Sequence, residues 1–306
     1  MQGEKASASS EEGGSVGGGF LVFGQSGWIG SQVIKLLKDA GEVVHAASSR
    51  LEDRTAILSE LDCLKPKYVV NAAGVTGRPN VDWCEDHRPE TIRANVLGTI
   101  NLADCCYLRG IHLTTFASGC IYQYDEQHPI GGPAFKETDA PNYSDSFYST
   151  TKIITEQMLV NYSNVLILRL RMPVSDDLHP RSFLTKISRY ERVVNVPNSI
   201  SILADLLPIA LDLTKKERKG VYNFTNPGAI AHNEILQMYK EYIDPSFTWK
   251  NFTLEEQAKI LKAGRSNNEL DVSRLSAEYP DLLPVREALV LLFKRMKANT
   301  SEEEGK

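Results

Sequence analysis

A chain of 306 residues with 42% hydrophobic content holds enough apolar material for one large domain or two unequal ones. Its net charge of −5, without any Lys/Arg block, excludes a nucleic acid or an anionic membrane surface as the main partner and leaves small molecules. No apolar run reaches the roughly 18 residues of a membrane span, and residues 1–19 lack the charged start and apolar middle of a signal peptide, so the cytoplasm is the expected compartment.

Residues 1–19, rich in Ser, Gly, Glu and Ala, predict a disordered leader. Phe20-Leu21-Val22-Phe23 then reads as a buried strand, followed by Gly24-Gln25-Ser26-Gly27-Trp28-Ile29-Gly30 and an amphipathic helix to about Ala40. Strand, glycine turn and helix form the arrangement that binds a dinucleotide. The first glycine permits the turn, the second admits a pyrophosphate to the backbone, and the third lets helix and strand pack closely. A second strand, Glu42 to Ala47, ends in Ser48-Ser49-Arg50 with no acid at that point. A carboxylate there would bind free ribose hydroxyls, whereas Arg50 attracts a 2′-phosphate, so the expected cofactor is NADP(H).

A helix from Arg54 to Leu64 leads to a third strand, Lys67 to Asn71, whose turn Ala72-Ala73-Gly74 is small enough for backbone to lie against a cofactor. Thr91 to Gly110 has helical spacing at Ile92, Val96, Ile100 and Ala103. Ile111 to Phe116 is a fourth strand ending in Ala117-Ser118-Gly119-Cys120, and ligands of an open parallel sheet bind beyond the carboxyl ends of its strands, so Ser118 and Cys120 are both expected to face the site. After a loop from Asp125 to Asp145 comes a helix carrying Tyr148 and Lys152, four apart and so on one face. A phenol is a weak acid, and a neighbouring ammonium favours its charged form, which suits Tyr148 to donate a proton in a carbonyl reduction.

Strand Val165 to Leu170 follows, and beyond Arg171-Met172-Pro173 the alternation of strands and helices loosens. This later half is expected to bind substrate. It reads as a short helix from Phe183 to Tyr190 holding Lys186, a strand from Val193 to Val196, a helix from Ile202 to Lys215, a strand from Val221 to Thr225, and helices at Asn233 to Tyr242 and Leu254 to Leu261. The expected fold is α/β: a Rossmann-like doubly wound parallel sheet over 20–170 with returning segments near 200–226, a smaller substrate-binding portion over 171–297, and a charged, frayed tail over 298–306. Cys63, Cys84, Cys105, Cys106 and Cys120 are an odd number without C-x-x-C pairs, which predicts reduced thiols and no metal site.

With the glycine turn, Asn71 to Gly74, Ser118 and Tyr148 to Lys152 in this order, the chain resembles an extended short-chain dehydrogenase/reductase. More narrowly, Gly27 to Gly30, Arg50 to Arg54, the run Asn71 to Glu85, Arg171 to Pro173, Thr185 to Tyr190, Asn223 to Gly228 and Arg265 to Asp271 resemble the nucleotide-rhamnose synthase/epimerase-reductase family of plants, from about Phe20 to Leu292. The resemblance implies a bifunctional enzyme that epimerises carbons 3 and 5 of UDP- or dTDP-4-keto-6-deoxyglucose and reduces carbon 4 with NADPH. Ser118 and Tyr148 would hold the ketone, Lys152 would bind the nicotinamide ribose, and Cys120 and Lys186 match the family's acid/base pair. Gly24 to Gly30, Arg50, Asn71, Ala72, Ala73 and Gly74 would bind the cofactor, and Thr76, Arg78, Arg171, Asn195 and Arg265 the substrate.

Ser118 stands where the family commonly has Thr, and Thr150 where it has Lys; both changes keep the roles intact. In plants the unit is often fused behind a 4,6-dehydratase, and with one glycine turn here the ketosugar is expected from a separate protein. A homodimer is left open. The competing readings are a dTDP-4-dehydrorhamnose reductase without epimerase activity, a GDP-fucose-synthase-like enzyme, and a non-catalytic subunit like the regulatory subunit of methionine adenosyltransferase. Cys120 speaks against the first, and the retained Ser118, Tyr148 and Lys152 against the last.

Overall fold

The computed structural model describes residues 18–304; the leader expected over 1–19 falls almost wholly outside them. Eight strands are found in the described residues: β1 (Phe20–Phe23), β2 (Val44–Ala46), β3 (Tyr68–Asn71), β4 (His112–Ser118), β5 (Val165–Leu170), β6 (Arg192–Val193), β7 (Gly220–Asn223) and β8 (Lys250–Asn251). Six of them form one parallel sheet in the order β2-β1-β3-β4-β5-β7, while β6 pairs with β8. Every residue of β1, β3 and β5 is buried, as expected of parallel strands covered by helices on both faces.

Alternation along the strands sorts the apolar side chains. Phe20, Val22, Val70, Leu166 and Leu168 pack on one face with Val33 and Leu37 of helix Trp28–Asp39 and Leu203, Leu206 and Leu207 of helix Leu203–Lys215. Leu21, Phe23, Val69, Leu113 and Ile167 point the other way, toward Ile57 and Leu61 of helix Arg54–Leu64, Leu102 and Cys106 of helix Gly98–Leu108, and Leu159 of helix Phe147–Leu159. The chain leaves β1 for β2 on one side and later takes up β3 on the other, so a crevice opens at the carboxyl ends of β1 and β3.

A third apolar cluster supports the substrate half. Val174, Leu184, Ile187, Val193, Ile200 and Ile235 meet Leu289, Leu292 and Phe293 of the last helix, Val285–Glu304. That helix and the short one at Ser273–Glu278 are absent from the sequence reading, and the last helix passes the boundary expected at Lys297. The strand expected over Val193 to Val196 shortens to the two residues of β6. The single helix expected over Thr91 to Gly110 is interrupted: a turn at Arg88–Thr91 opens into a π-helical run, Ile92–Leu97, before Gly98–Leu108. Such widened turns are frequent at functional sites. Among the described residues, no helix is long and apolar enough to cross a membrane.

Candidate active site

The glycine turn sits at the mouth of the crevice. A Cβ on Gly24, whose φ is +79°, would fall 2.5 Å from the Ala73 nitrogen, and one on Gly30 would fall 2.1 Å from the Gly24 carbonyl oxygen. Those two glycines are required by packing. Gln25, Ser26 and Gly27 are exposed, and helix Trp28–Asp39 begins at Gly27 with no side-chain cap, leaving amide donors and the positive end of the helix dipole facing outward. The turn therefore fits a pyrophosphate, the group this arrangement is built to hold. Gln25 Nε2 donates to the Ala47 carbonyl at 3.0 Å, tying the turn to the end of β2, and Arg50 is exposed beyond it. Asn71 Oδ1 accepts from the Ala73 nitrogen at 3.0 Å and so sets the turn Ala72 to Gly74.

Helix Phe147–Leu159 starts with Ser146 as its cap, and Glu85 Oε1 accepts from the Phe147 nitrogen at 2.6 Å. These contacts fix the helix that carries Tyr148 and Lys152. Tyr148 is buried, and burial, with the nearby Cys120 as a smaller cause, pushes its phenol above the usual range while a hydrogen bond with Ser118 opposes the shift. The expected lowering by Lys152 is not what this site shows: the ammonium stands 5.8 Å from the ring centroid, and desolvation of the phenol dominates, so Tyr148 is held as a neutral phenol. Burial lowers Lys152 itself to about 8, opposed by Cys84, Cys120 and Glu156. Lys152 lies beside Gly74, and among the described residues its ammonium has no hydrogen-bond acceptor or ion pair. An ammonium so placed fits a hydroxyl-bearing ribose next to the turn after β3.

Ser118 closes β4, and its Oγ accepts from the Cys120 nitrogen at 3.1 Å, so hydroxyl and thiol share one tight turn. Ser149 Oγ donates to the Cys120 carbonyl at 2.6 Å and joins that turn to the Tyr148 helix. Lys186 lies on helix Phe183–Ile187, half-buried, and is lowered by desolvation and by the charges of Arg181 and Arg265. Arg265 in turn pairs with Asp82 at 2.9 Å. Thr76 Oγ1 accepts from Arg181 Nη1 at 2.6 Å, and Arg181 is lowered by burial and, less, by the charge of the exposed Arg78.

Three of the expected site residues have other partners. Trp28 donates through Nε1 to Asp177 Oδ2 at 2.8 Å and stacks on His179, so its indole lies under the loop after β5 and away from the open turn. Asn195 accepts from the Asn233 nitrogen at 3.2 Å. Arg171 is fully buried, with its guanidinium on Cys120, Ser266 and Asn198.

The sequence profile of the NAD dependent epimerase/dehydratase family matches residues 20–202. The chain belongs to that family. Among curated epimerase/dehydratase relatives, the chain is 56% identical over 273 residues to the bifunctional dTDP-4-dehydrorhamnose 3,5-epimerase/dTDP-4-dehydrorhamnose reductase of Arabidopsis thaliana, covering 89% of this chain and 91% of that one. It is 54% identical to a trifunctional UDP-glucose 4,6-dehydratase/UDP-4-keto-6-deoxy-D-glucose 3,5-epimerase/UDP-4-keto-L-rhamnose-reductase of the same plant, of whose length the match spans 41%. Among solved structures, the UDP-rhamnose synthase of Acanthamoeba polyphaga mimivirus superposes with a TM-score of 0.87 at 38% identity, over 90% of this chain and 98% of that one. A dTDP-4-dehydrorhamnose reductase of Clostridium acetobutylicum shares the fold, with a TM-score of 0.78 at 18% identity over 91% and 99% of the two chains.

For a member of the epimerase/dehydratase family, the sequence reading missed several supporting residues. Asn95, fully buried in the π-helical run, accepts from the Val75 nitrogen and donates to its carbonyl, both at 2.8 Å, clamping the loop that follows Gly74. Thr155 Oγ1 donates to the Asn95 carbonyl at 2.9 Å and docks the Tyr148 helix against that clamp. Glu60 reaches the end of β2 from the next helix and accepts from the nitrogens and hydroxyls of Ser48 and Ser49. A buried Asn amid apolar helix positions was the available signal for Asn95; nothing local announces Glu60.

Proposed function

We propose that this chain is a bifunctional 3,5-epimerase/4-reductase that converts UDP- or dTDP-4-keto-6-deoxyglucose to the corresponding β-L-rhamnose nucleotide with NADPH. The observation that carries the reading is the shared turn of Ser118 and Cys120, where the Ser118 hydroxyl accepts from the Cys120 backbone nitrogen at 3.1 Å, so that a ketone-holding hydroxyl and a proton-exchanging thiol stand at the same strand end. The matched relatives named for this chemistry support it. A ketone at carbon 4 acidifies the hydrogens on carbons 3 and 5, so each centre inverts through an enolate when one group takes the proton and another returns one to the opposite face. Cys120 and Lys186 take these two roles. Ser118 and Tyr148 donate hydrogen bonds to the carbon 4 oxygen, stabilising the enolate, and Tyr148 later gives that oxygen its proton. NADPH, when bound, supplies the hydride to carbon 4. Lys152 holds its ribose, the glycine turn its pyrophosphate and Arg50 its 2′-phosphate.

The 4-keto-6-deoxy substrate is the product of a 4,6-dehydration, which a separate protein supplies. The proposal is tested by giving the protein each ketosugar nucleotide with NADPH and identifying the product by NMR. A rhamnose nucleotide with stoichiometric NADPH oxidation is the expected result. Oxidation only with a sugar already inverted at carbons 3 and 5 would reduce the function to that of the lone reductase.

A further inference from the structure

Arg171 is 1% exposed, among the largest side chains in the fully buried set. Its Nη1 donates to Cys120 Sγ at 2.9 Å and to Ser266 Oγ at 3.0 Å, and its Nη2 donates to the Ser266 carbonyl at 2.5 Å and to Asn198 Oδ1. Its backbone is pinned as well: the nitrogen donates to Ser201 Oγ at 2.9 Å and the carbonyl accepts from the Ser201 nitrogen at 2.8 Å. Gly119 lies against its stem: a Cβ there would be in ordinary contact with Arg171 Cδ, at 3.5 Å, and would crowd Leu270 Cδ1, at 2.7 Å.

Among the described residues no carboxylate pairs with this guanidinium. Arginine does not give up its proton in proteins, and a buried charge with only neutral dipoles around it is expensive. Three other ionisable groups feel its charge. Tyr124 is pushed up to about 12 and Tyr143 higher still, while His232 is pushed down to about 4, in each case chiefly by burial, so all three stay neutral near pH 7. Within the guanidinium's hydrogen-bond shell, only the Cys120 sulfur can take on a negative charge.

We propose that Arg171 is the positioning residue for proton exchange at Cys120, fixing the sulfur at the turn and balancing the negative charge it carries in one half of each exchange. This rests on the epimerase reading above. In each inversion the C–H bond beside the ketone breaks, its electron pair passes into the enolate at the carbon 4 oxygen, and the proton goes to the sulfur, which becomes a neutral thiol. The Lys186 ammonium then returns a proton to the opposite face of the same carbon, and thiol and amine re-equilibrate with solvent. Arg171 acts through the sulfur alone, and no substrate contact is assigned to it.

The test measures deuterium uptake at carbons 3 and 5 of UDP-4-keto-6-deoxyglucose in heavy water without NADPH, and separately NADPH oxidation with the ketosugar already inverted at both carbons. Arg171→Gln is expected to lower the saturated uptake rate by about 10²-fold with little change in the ketosugar KM, while oxidation stays within a few-fold of wild type. Arg171→Lys, which keeps the charge, should recover part of the uptake. In the Cys120→Ser background, Arg171→Gln should add no further loss. Equal losses in uptake and oxidation, or an additive loss in the Cys120→Ser background, would overturn the proposal by marking Arg171 as a structural prop. If Arg171→Gln fails to fold, Arg171→Lys decides by the same criterion, a selective loss of uptake or a general one. Failure of the wild type to take up deuterium would instead remove the epimerase reading itself.

Discussion

The two sides of the site handle charge in opposite ways. Behind the Tyr148 helix, Arg169 donates to both oxygens of Glu156, at 3.0 and 2.6 Å, so a buried cation and a buried anion cancel. Two residues along the chain, Arg171 is equally buried and meets neutral groups and a sulfur, and beyond it Arg181, Lys186 and Arg265 crowd together, with Asp82 the one acid paired to them among the described residues. The balanced side holds a helix in place. On the unbalanced side Arg181, Lys186 and Arg265 outnumber the acid paired with them, which suits a diphosphate-bearing sugar and the enolate it forms. Buried pairs of the first kind serve architecture, whereas an excess of cations over paired acids marks where ligand and chemistry enter.

The comparison is broken most severely where the two sides meet, at Tyr148. Tyr148→Phe removes the proton donor and little else, and NADPH oxidation with ketosugar is expected to fall by roughly 10²–10⁴ while cofactor binding persists. Oxidation at the wild-type rate would strip Tyr148 of its role. On the balanced side, Glu156→Gln leaves Arg169 charged, buried and unpaired, and should lower stability by about 3–5 kcal/mol, read as a clear fall in Tm; an unchanged Tm would mean the pair does not hold the helix. On the unbalanced side, Cys120→Ser should suppress deuterium uptake by about 10²-fold and spare reduction of the inverted ketosugar.

A smaller effect follows from pH. Burial lowers Lys152 to about 8, so its ammonium is present below that value and lost as pH rises through it. The kcat/KM for reduction is expected to fall about tenfold per pH unit above it. Because the unfolded lysine keeps its proton to about 10.4, the unfolded state binds more protons between those values, and this group makes stability rise with pH there. A flat profile to pH 10 would contradict the assignment. The smallest effect is at the exposed Arg50, where Arg50→Ala should reduce the preference for NADPH over NADH by about tenfold through loss of a charge-assisted contact. An NADH preference in the wild type would point to Glu60, whose carboxylate lies under Ser48 and Ser49 at the same strand end.

The two sides also differed in how far they were legible from the sequence. The nucleotide side is written locally: Phe20–Phe23, the glycine turn and helix Trp28–Asp39 are contiguous, and Tyr148 and Lys152 share a face through helical periodicity alone. The substrate side is assembled from residues far apart. Helix Val285–Glu304 completes the apolar cluster beneath helix Phe183–Ile187, a docking that periodicity within either segment does not specify. Even on the legible side, burial reversed the expected shift at Tyr148, because desolvation depends on everything packed around the ring rather than on the lysine four residues away.

By itself, the sequence determined where the six strands of the main sheet fall along the chain, the glycine turn after the first of them, and the placing of Ser118 and Cys120 at the carboxyl end of β4, because these follow from local periodicity and the rule that such sheets bind ligands beyond their strand ends. What Arg171 touches was decided only by the tertiary structure. Sequence position sets it just past the end of β5; the groups that surround its guanidinium arrive from Cys120, Asn198 and Ser266, separated from it by 51, 27 and 95 residues, and a long flexible side chain takes its role from whichever of these the folded core brings within reach.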